Sequence, residues 1–519
     1  LNKMNYFLAY DVGTSSVKSI LVDEKGTILA SAIESYPLQM PHPGWVEQIP
    51  DDYWKAICSA TKKLTQATTI DKNKIKGLAF TTQAMGIIPM SIEGKVLYNN
   101  ISWVDGRAEK QARKAMRRMG GKAIFKTIVG VEITGKDVIP KLIWLKENEP
   151  KIYHQTHKFL DVNGYLKFKC TGKMVAEWSG ACSYAFNLKK KDWERLFFKI
   201  TGAGTEKLPD LVKSTDLVGT LTEQAAQDLD LPLQVQVFGG CDDTQSAALG
   251  TTAIGEGEAH IYVGTSAWVG VTTSKPLGFK NGLFCLQSAD PKMNMVVGIT
   301  ESAGVNTEWL LDTFYAEEKK NLSETALFEL LENEIKQTTA GADYLIVTPW
   351  FLGERCPVST TTTRSTIFNL SHQHTRAHIA RAHFEGIAYN LRWTIQNLEK
   401  DFGFKITELK ITGGGTLNDT WMQNIADITQ RKISSTSQPK NAGALGAAMC
   451  ALVGSGTFKN FSDIYQFIQT HKTYIPTTEN NKIYHQLFHN YQQIYHQLKK
   501  TYHQINKDRF EIQFNENEH

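Results

Sequence analysis

Two rhythms of apolar and polar positions alternate along this chain. The opening stretch YFLAYDVGTSSVKSILVDEKGTILASAIES (6–35) holds short runs of Val, Ile, Leu and Tyr, a pattern that predicts three strands. Gly13-Thr14-Ser15-Ser16 and Glu24-Lys25-Gly26 punctuate them with turn-forming residues. A helical rhythm follows near Asp51–Leu64, with Tyr53, Trp54, Ile57 and Leu64 on one stripe and Asp51 or Asp52 placed to cap it. Strand-like IKGLAF then runs into the loop TTQAMG. Near the end, Tyr484, Leu487, Phe488, Tyr491, Ile494, Tyr495, Leu498 and Tyr502 recur at helical spacing, predicting an amphipathic helix packed on the second half. Strands alternating with helices indicate an α/β class.

One turn sequence occurs twice. Val12-Gly13-Thr14-Ser15 returns as Val263-Gly264-Thr265-Ser266, each time between a β-rich run and a second one, SVKSILV or AWVGVTT. Each copy opens one half of the chain, as a duplicated domain requires. The reading places one domain at 1–250, a second at 251–506 and a frayed tail at 507–519, with the boundary between TQSAALG and HIYVGTS.

Composition narrows the partners. The chain has 519 residues, 41% hydrophobic and 21% charged, with a net charge of +4, an ordinary globular balance that fits two domains. No block of like charge suggests a nucleic-acid arm or a membrane patch, and Arg107–Arg118 reads as a solvated helix face. The seven cysteines are scattered without a CxxC pair, which fits free thiols in a reducing compartment. No secretory leader and no bilayer-length apolar run is read, so the expected location is cytoplasmic.

Three segments carry candidate chemistry. Asp11 ends a strand before a Gly-Thr-Ser-Ser turn whose N–H groups can converge on an anion; a carboxylate there suits Mg²⁺ lying between it and phosphate, with Lys18 adding positive charge. An ordinary turn with a capping aspartate has the same residues. In FGGCDDTQSAALG (238–250), Asp242 and Asp243 open a helix; either can cap it, and an aspartate so held can also accept a proton from an attacking hydroxyl. In LKITGGGTLNDTWMQNIADI (409–428), a strand enters Gly413-Gly414-Gly415 and leaves into a helix, a moderate nucleotide signal that matches neither a P-loop nor a Rossmann fingerprint. His372, His374, His378 and His383 lack an HExxH arrangement and are read as structural, as is Cys241.

Together these segments resemble the FGGY family of carbohydrate kinases, and within it the xylulokinase-like branch. The resemblance runs in order through AYDVGTSSVK (9–18), PHPGWVEQIPDDYW (41–54), TTQAMG (81–86), SWVDGRAE (102–109), PKLIWLKENEP (140–150), GGCDDTQSAALG (239–250), YVGTSAWV (262–269), TPWFLGERCP (348–357), IARAHFEGIAYNLR (379–392), ITGGG (411–415) and NAGALGAAMCA (441–451). It implies two ribonuclease-H-like domains of the actin and hexokinase type around an interdomain cleft, and Mg-ATP as phosphoryl donor. By resemblance, Asp242 is the catalytic base, and Asp11 (through water) and Asp242 hold Mg²⁺. Gly13, Thr14, Ser15, Lys18, Gly264, Thr265, Gly304, Gly413, Gly414 and Asn418 fall on the nucleotide and its phosphates. Gln83, Ala84, Met85, Trp103, Asp105 and Asp243 fall on the sugar side. The implied substrate is a ketopentose such as D-xylulose, with ribulose, fuculose or erythritol as alternatives, and a homodimer fits the resemblance. Ala84-Met85 stands where xylulokinases carry Met-His, and Asp243 where an amide is usual; these departures leave room for another sugar or for a nucleotide-binding regulator without turnover. TTQAMG lacks the Arg-Glu pair of glycerol kinases.

Overall fold

The computed structural model describes residues 4–121, 124, 133–301, 303–414 and 418–507. The β-rich opening folds as expected. Strands Tyr6–Val12, Ser16–Asp23 and Ile28–Ser35 form an antiparallel meander, and Ile75–Thr82 pairs parallel to the first of them. The sheet runs Leu217–Thr220, Gln236–Phe238, Ile75–Thr82, Tyr6–Val12, Ser16–Asp23, Ile28–Ser35, with Cys241–Asp242 pairing beside the end of Ile75–Thr82. The second half repeats the plan. Its sheet runs Leu283–Gln287, Asn294–Thr300, Ala267–Thr273, Ala259–Val263, Glu408–Thr412, Lys432–Thr436, Thr470–Tyr474. In both halves the Gly-Thr-Ser turn joins the first strand to its antiparallel neighbour, and the first strand pairs parallel to a later one. This is the two-domain architecture that the resemblance implied.

Helix Pro50–Gln66 covers the first sheet with Tyr53, Trp54, Ile57 and Leu64 buried. Neither Asp51 nor Asp52 caps it. Ile49 occupies the cap position without a side-chain bond, Pro50 starts the helix, and both aspartates lie in the first turn. A proline there has no N–H to leave unpaired, and first-turn carboxylates still favour the positive end of the helix. The basic stretch forms helix Glu109–Arg118, but Arg107 lies outside it, buried and ion-paired to Asp105 and Glu47. The terminal helix spans Asn481–Asn506 and buries Tyr484, Leu487, Phe488 and Tyr491 against the second half. The expected frayed tail lies outside the described residues from 508 onward. No helix among the described residues is long and apolar enough to cross a membrane.

One helix of the second half completes the first sheet's cover. Ala442–Gly454 is built mostly of small residues and packs with Phe7, Ala9, Ile20, Val22, Ala79 and Phe238 in a shared core. Its small side chains permit close approach to helix Asp243–Gly250: a Cβ on Gly446 would sit 2.7 Å from the Ser246 Cα, and one on Gly250 would sit 2.7 Å from the Ala442 carbonyl carbon. The helix that starts at Asp242 is therefore gripped by both halves.

Candidate active site

The first turn presents donors because its acceptors are occupied from behind. Gly13 N–H donates to the Ser16 carbonyl (3.0 Å), and Tyr36 Oη donates to the carbonyls of Gly13 (2.5 Å) and Ser16 (3.0 Å). Gln48 Nε2 takes the Thr14 carbonyl (2.7 Å) and Tyr36 N–H the Ser15 carbonyl (3.0 Å). No hydrogen bond among the described residues uses the N–H of Thr14 or Ser15. Those two groups are left for an anion.

The second turn is built the same way with other partners. Gly264 N–H donates to the Ser266 carbonyl (2.9 Å), while Gly304 N–H takes the Gly264 carbonyl (2.8 Å) and Ala303 N–H the Thr265 carbonyl (2.9 Å). The start of helix Gly304–Phe314 is thus bound to this turn. Strand Glu408–Thr412 runs parallel to Ala259–Val263 and ends at Gly413, whose φ of 108° and contact with Val263 (2.7 Å from a Cβ position to the carbonyl carbon) require glycine. Nothing lies within 4 Å of a Cβ position on Gly414, and Asn418 Oδ1 caps helix Asp419–Thr429 by accepting from Trp421 N–H (2.8 Å). Gly415 lies outside the described residues.

Asp242 is both a cap and a candidate base. It is 4% exposed; Oδ1 accepts from Thr244 Oγ1 (2.6 Å) and Gln245 N–H (3.0 Å), while Oδ2 has no hydrogen bond among the described residues. Burial pushes its pKa up to about 6 against the Thr244 and Gln245 bonds, with Asp161 adding to the rise. Its backbone N–H donates to Ser179 Oγ (2.9 Å), and Ser179 Oγ in turn donates to Glu177 Oε2. The Glu177 carboxylate also caps its own short turn through the N–H groups of Ser179 (2.8 Å) and Gly180 (3.3 Å), and burial raises it to about 8. On the other side, helix Val162–Thr171 sends Lys167 Nζ to the Gly239 carbonyl (3.2 Å) and Asn163 Nδ2 to the Cys241 carbonyl (3.2 Å). Glu177, Ser179, Asn163 and Lys167 have no part in the sequence reading; the only local signal for them is the capping sequence Glu177-Trp178-Ser179.

The carboxylates near Asp242 act on one another. Asp11 is raised by burial and lowered by Lys18, its Cα partner across the hairpin. Asp243 is raised well above the usual range by burial, then by Asp242 and Asp11, and the Tyr262 hydroxyl of the second half is raised by burial and by Asp11 and Asp243. The structure thus groups Asp243 with Asp11, beside the first Gly-Thr-Ser turn. Gly443 approaches the same spot from the second half, its Cβ position 2.7 Å from Asp11 Cγ. Three buried carboxylates, of which Asp243 is raised by the other two and Asp11 is lowered by Lys18, are a donor set that a divalent cation would relieve. Among the described residues no three His, Cys, Asp or Glu side chains form a complete protein cage.

The expected sugar-side residues divide between several places. Strand Ile75–Thr82 pairs Thr82 with Asp242, so the loop from Gln83 starts beside that carboxylate. Gln83 is buried; its Nε2 donates to Gln48 Oε1 (2.9 Å) and Tyr53 Oη (3.3 Å), and its Oε1 has no partner. Ala84 is half-buried and Met85 takes φ 62°. Trp103 Nε1 donates to Thr14 Oγ1 (2.9 Å), joining this side to the phosphate turn. Asp105 is turned away: fully buried, it accepts from Val46 N–H (2.6 Å) and is forked by Arg107 Nε and Nη2, while the guanidinium lies over Trp45 at 3.9 Å. It supports its loop.

Three of the histidines have local partners. His374 and His378 reach Asp343, and His383 is buried beside Thr307. Cys241 Sγ lies 3.9 Å from Cys450 Sγ, both free thiols, with burial raising Cys241.

Comparison with known proteins agrees with this geometry. Residues 6–250 match the N-terminal domain of the FGGY family of carbohydrate kinases, and residues 259–455 match its C-terminal domain. A xylulose kinase of Bacillus subtilis is 29% identical, the alignment covering 94% of this chain and 96% of that protein. The crystal structure of a ligand-bound xylulose kinase from Lactobacillus acidophilus superposes with a TM-score of 0.87 at 26% identity, over 97% of this chain and all of that one. A gluconate kinase from the same organism also gives 0.87, at 25% identity and with the same coverage. The two family matches, over residues 6–250 and 259–455, make the chain a member of the FGGY family of carbohydrate kinases.

Proposed function

We propose that this kinase transfers the terminal phosphoryl group of ATP to a hydroxyl of a neutral ketopentose, with D-xylulose the first candidate, and that Asp242 is the general base. The observation that carries the reading is the asymmetry of the Asp242 carboxylate. Oδ1 is anchored by Thr244 and Gln245, Oδ2 is free, and the Gln83 loop begins beside it. A hydroxyl held there loses its proton to Oδ2 as its oxygen attacks the terminal phosphorus, and ADP leaves. The free N–H groups of Thr14 and Ser15 face the phosphates from one half, and the Gly264-Thr265 turn faces them from the other. Gly304, Gly413, Gly414 and Asn418 line the rest of the nucleotide side. Asp11 and Asp242 would hold Mg²⁺, which when bound neutralises phosphate oxygens.

Two observations favour a neutral sugar. Of the cations beside the sugar-side loops, Lys141 is committed to two carbonyls and Arg107 to Asp105 and Glu47. A carboxylate substrate such as gluconate would find neither available. The B. subtilis and L. acidophilus relatives named xylulose kinases support the ketopentose.

The test is ADP release with Mg-ATP against D-xylulose, D- and L-ribulose, L-fuculose, L-xylulose, erythritol, glycerol and gluconate. A saturable response to a ketopentose is expected. A response to gluconate alone refutes the neutral-sugar reading, and ATP binding without any response favours a regulator.

A further inference from the structure

Lys141 is a lysine with no exposure at all, on helix Val138–Asn148. Its Nζ donates to the Met85 carbonyl (3.0 Å) and to the Ser102 carbonyl (2.8 Å). These carbonyls belong to separate loops, 83–86 and 102–105, the two that face Asp242 and Thr14. Both loops depend on such ties. Met85 holds a left-handed φ of 62°, which a non-glycine residue keeps only when its surroundings impose it. The next carbonyl, Gly86, accepts from Tyr184 Oη (3.2 Å), and Ser102 N–H donates to the Val46 carbonyl (3.0 Å). Burial lowers Lys141 to about 7, with Asp105 and Asp137 opposing the shift and Arg107 and Lys136 adding to it, so its two hydrogen bonds to carbonyls are what the buried amine relies on. The stem is long enough to reach both loops from the helix beneath them, and its position there keeps it out of contact with a sugar.

We propose that Lys141 is a positioning residue for the sugar: by tying the Met85 carbonyl to the Ser102 carbonyl it sets the width of the pocket in front of Asp242, and with it the choice among sugars. The assignment rests on the proposed function, since it takes these loops as the sugar's walls. A fold-supporting lysine would affect both substrates alike. A loop tie beside Asp242 affects the sugar and leaves the nucleotide side, which is built on Gly264, Gly304 and Gly413, unchanged.

The experiment is steady-state kinetics of Lys141→Met and Lys141→Arg in the full chain, on the two best sugars of the panel and on ATP. Methionine keeps the stem and removes the donors, and arginine keeps charge and donors while forcing the loops apart. The expected result is a rise of ~10–100-fold in KM for the sugar, the scale of a displaced binding geometry, with KM for ATP unchanged. The ratio of kcat/KM between the two sugars is also expected to change. If Lys141→Met does not fold, Lys141→Arg decides by the same criteria. Parallel rises in both KM values, or an unchanged KM for the sugar, overturn the assignment while leaving the kinase reading intact. A wild-type enzyme silent on every sugar overturns the proposed function and this assignment with it.

Discussion

Ser179→Ala isolates the support beneath Asp242, the proposed general base. The Ser179 hydroxyl is fully buried, accepts the Asp242 N–H at 2.9 Å and donates to Glu177. Removing it leaves that N–H without a partner where water does not reach, a penalty of ~1–3 kcal/mol. Glu177 keeps the N–H groups of Ser179 and Gly180, so its turn survives. If the penalty falls wholly on the placement of Asp242 in the transition state, kcat drops roughly 5–150-fold at 1.36 kcal/mol per factor of ten. If it falls on the ground-state fold, Tm drops by roughly 3–9 °C instead. Steady-state kinetics beside thermal unfolding separates the two. The arrangement predicts a fall in kcat with KM for ATP unchanged, because the hydrogen bonds of the Ser179 hydroxyl go to Asp242 and Glu177. An unaltered kcat alongside a lowered Tm would show that the Glu177–Ser179 chain holds the fold and not the base.

The carboxylates yield three further predictions. Asp242 is raised from 3.8 to about 6, so kcat/KM is expected to fall about tenfold per pH unit below pH 6 as the base is protonated. The folded form binds that proton more tightly than the unfolded one. Wild type therefore loses stability as pH rises from about 4 through 6, by up to ~3 kcal/mol, and Asp242→Asn escapes the loss. Thermal unfolding should show the variant gaining on wild type between pH 4 and 7.5, and a constant difference refutes the raised value. Gly443→Ala places a methyl 2.7 Å from Asp11 Cγ, so the carboxylate must move. Weaker Mg²⁺ binding is expected, read as a higher Mg²⁺ concentration at half-maximal rate with KM for the sugar unchanged, and an unaltered Mg²⁺ titration contradicts it.

The duplicated plan was legible because its signals are local. A turn sequence between two β-rich runs determines a hairpin wherever it occurs, and Val12–Ser15 and Val263–Ser266 each do so. Asp242 was legible for a related reason: a Gly-Gly turn followed by an aspartate and a helix marks a held carboxylate. The supports were not. Ser179 meets Asp242 across 63 positions and Lys141 meets Met85 across 56, and no local pattern announces contacts that packing alone brings about. Direction was equally hidden. Asp105 and Asp243 are polar residues in the right segments, but Arg107 draws one inward and Asp11 neighbours the other. The missed cap at Asp51 has a backbone cause, since Pro50 takes the first helical position and moves the cap to Ile49.

The most direct measurement is turnover of Asp242→Asn on the best sugar of the panel, with ATP affinity measured on the same preparation. Removal of a general base predicts a kcat lower by ~10²–10⁴-fold with ATP binding retained. A variant that turns over at the wild-type rate would remove Asp242 from the chemistry and contradict the account.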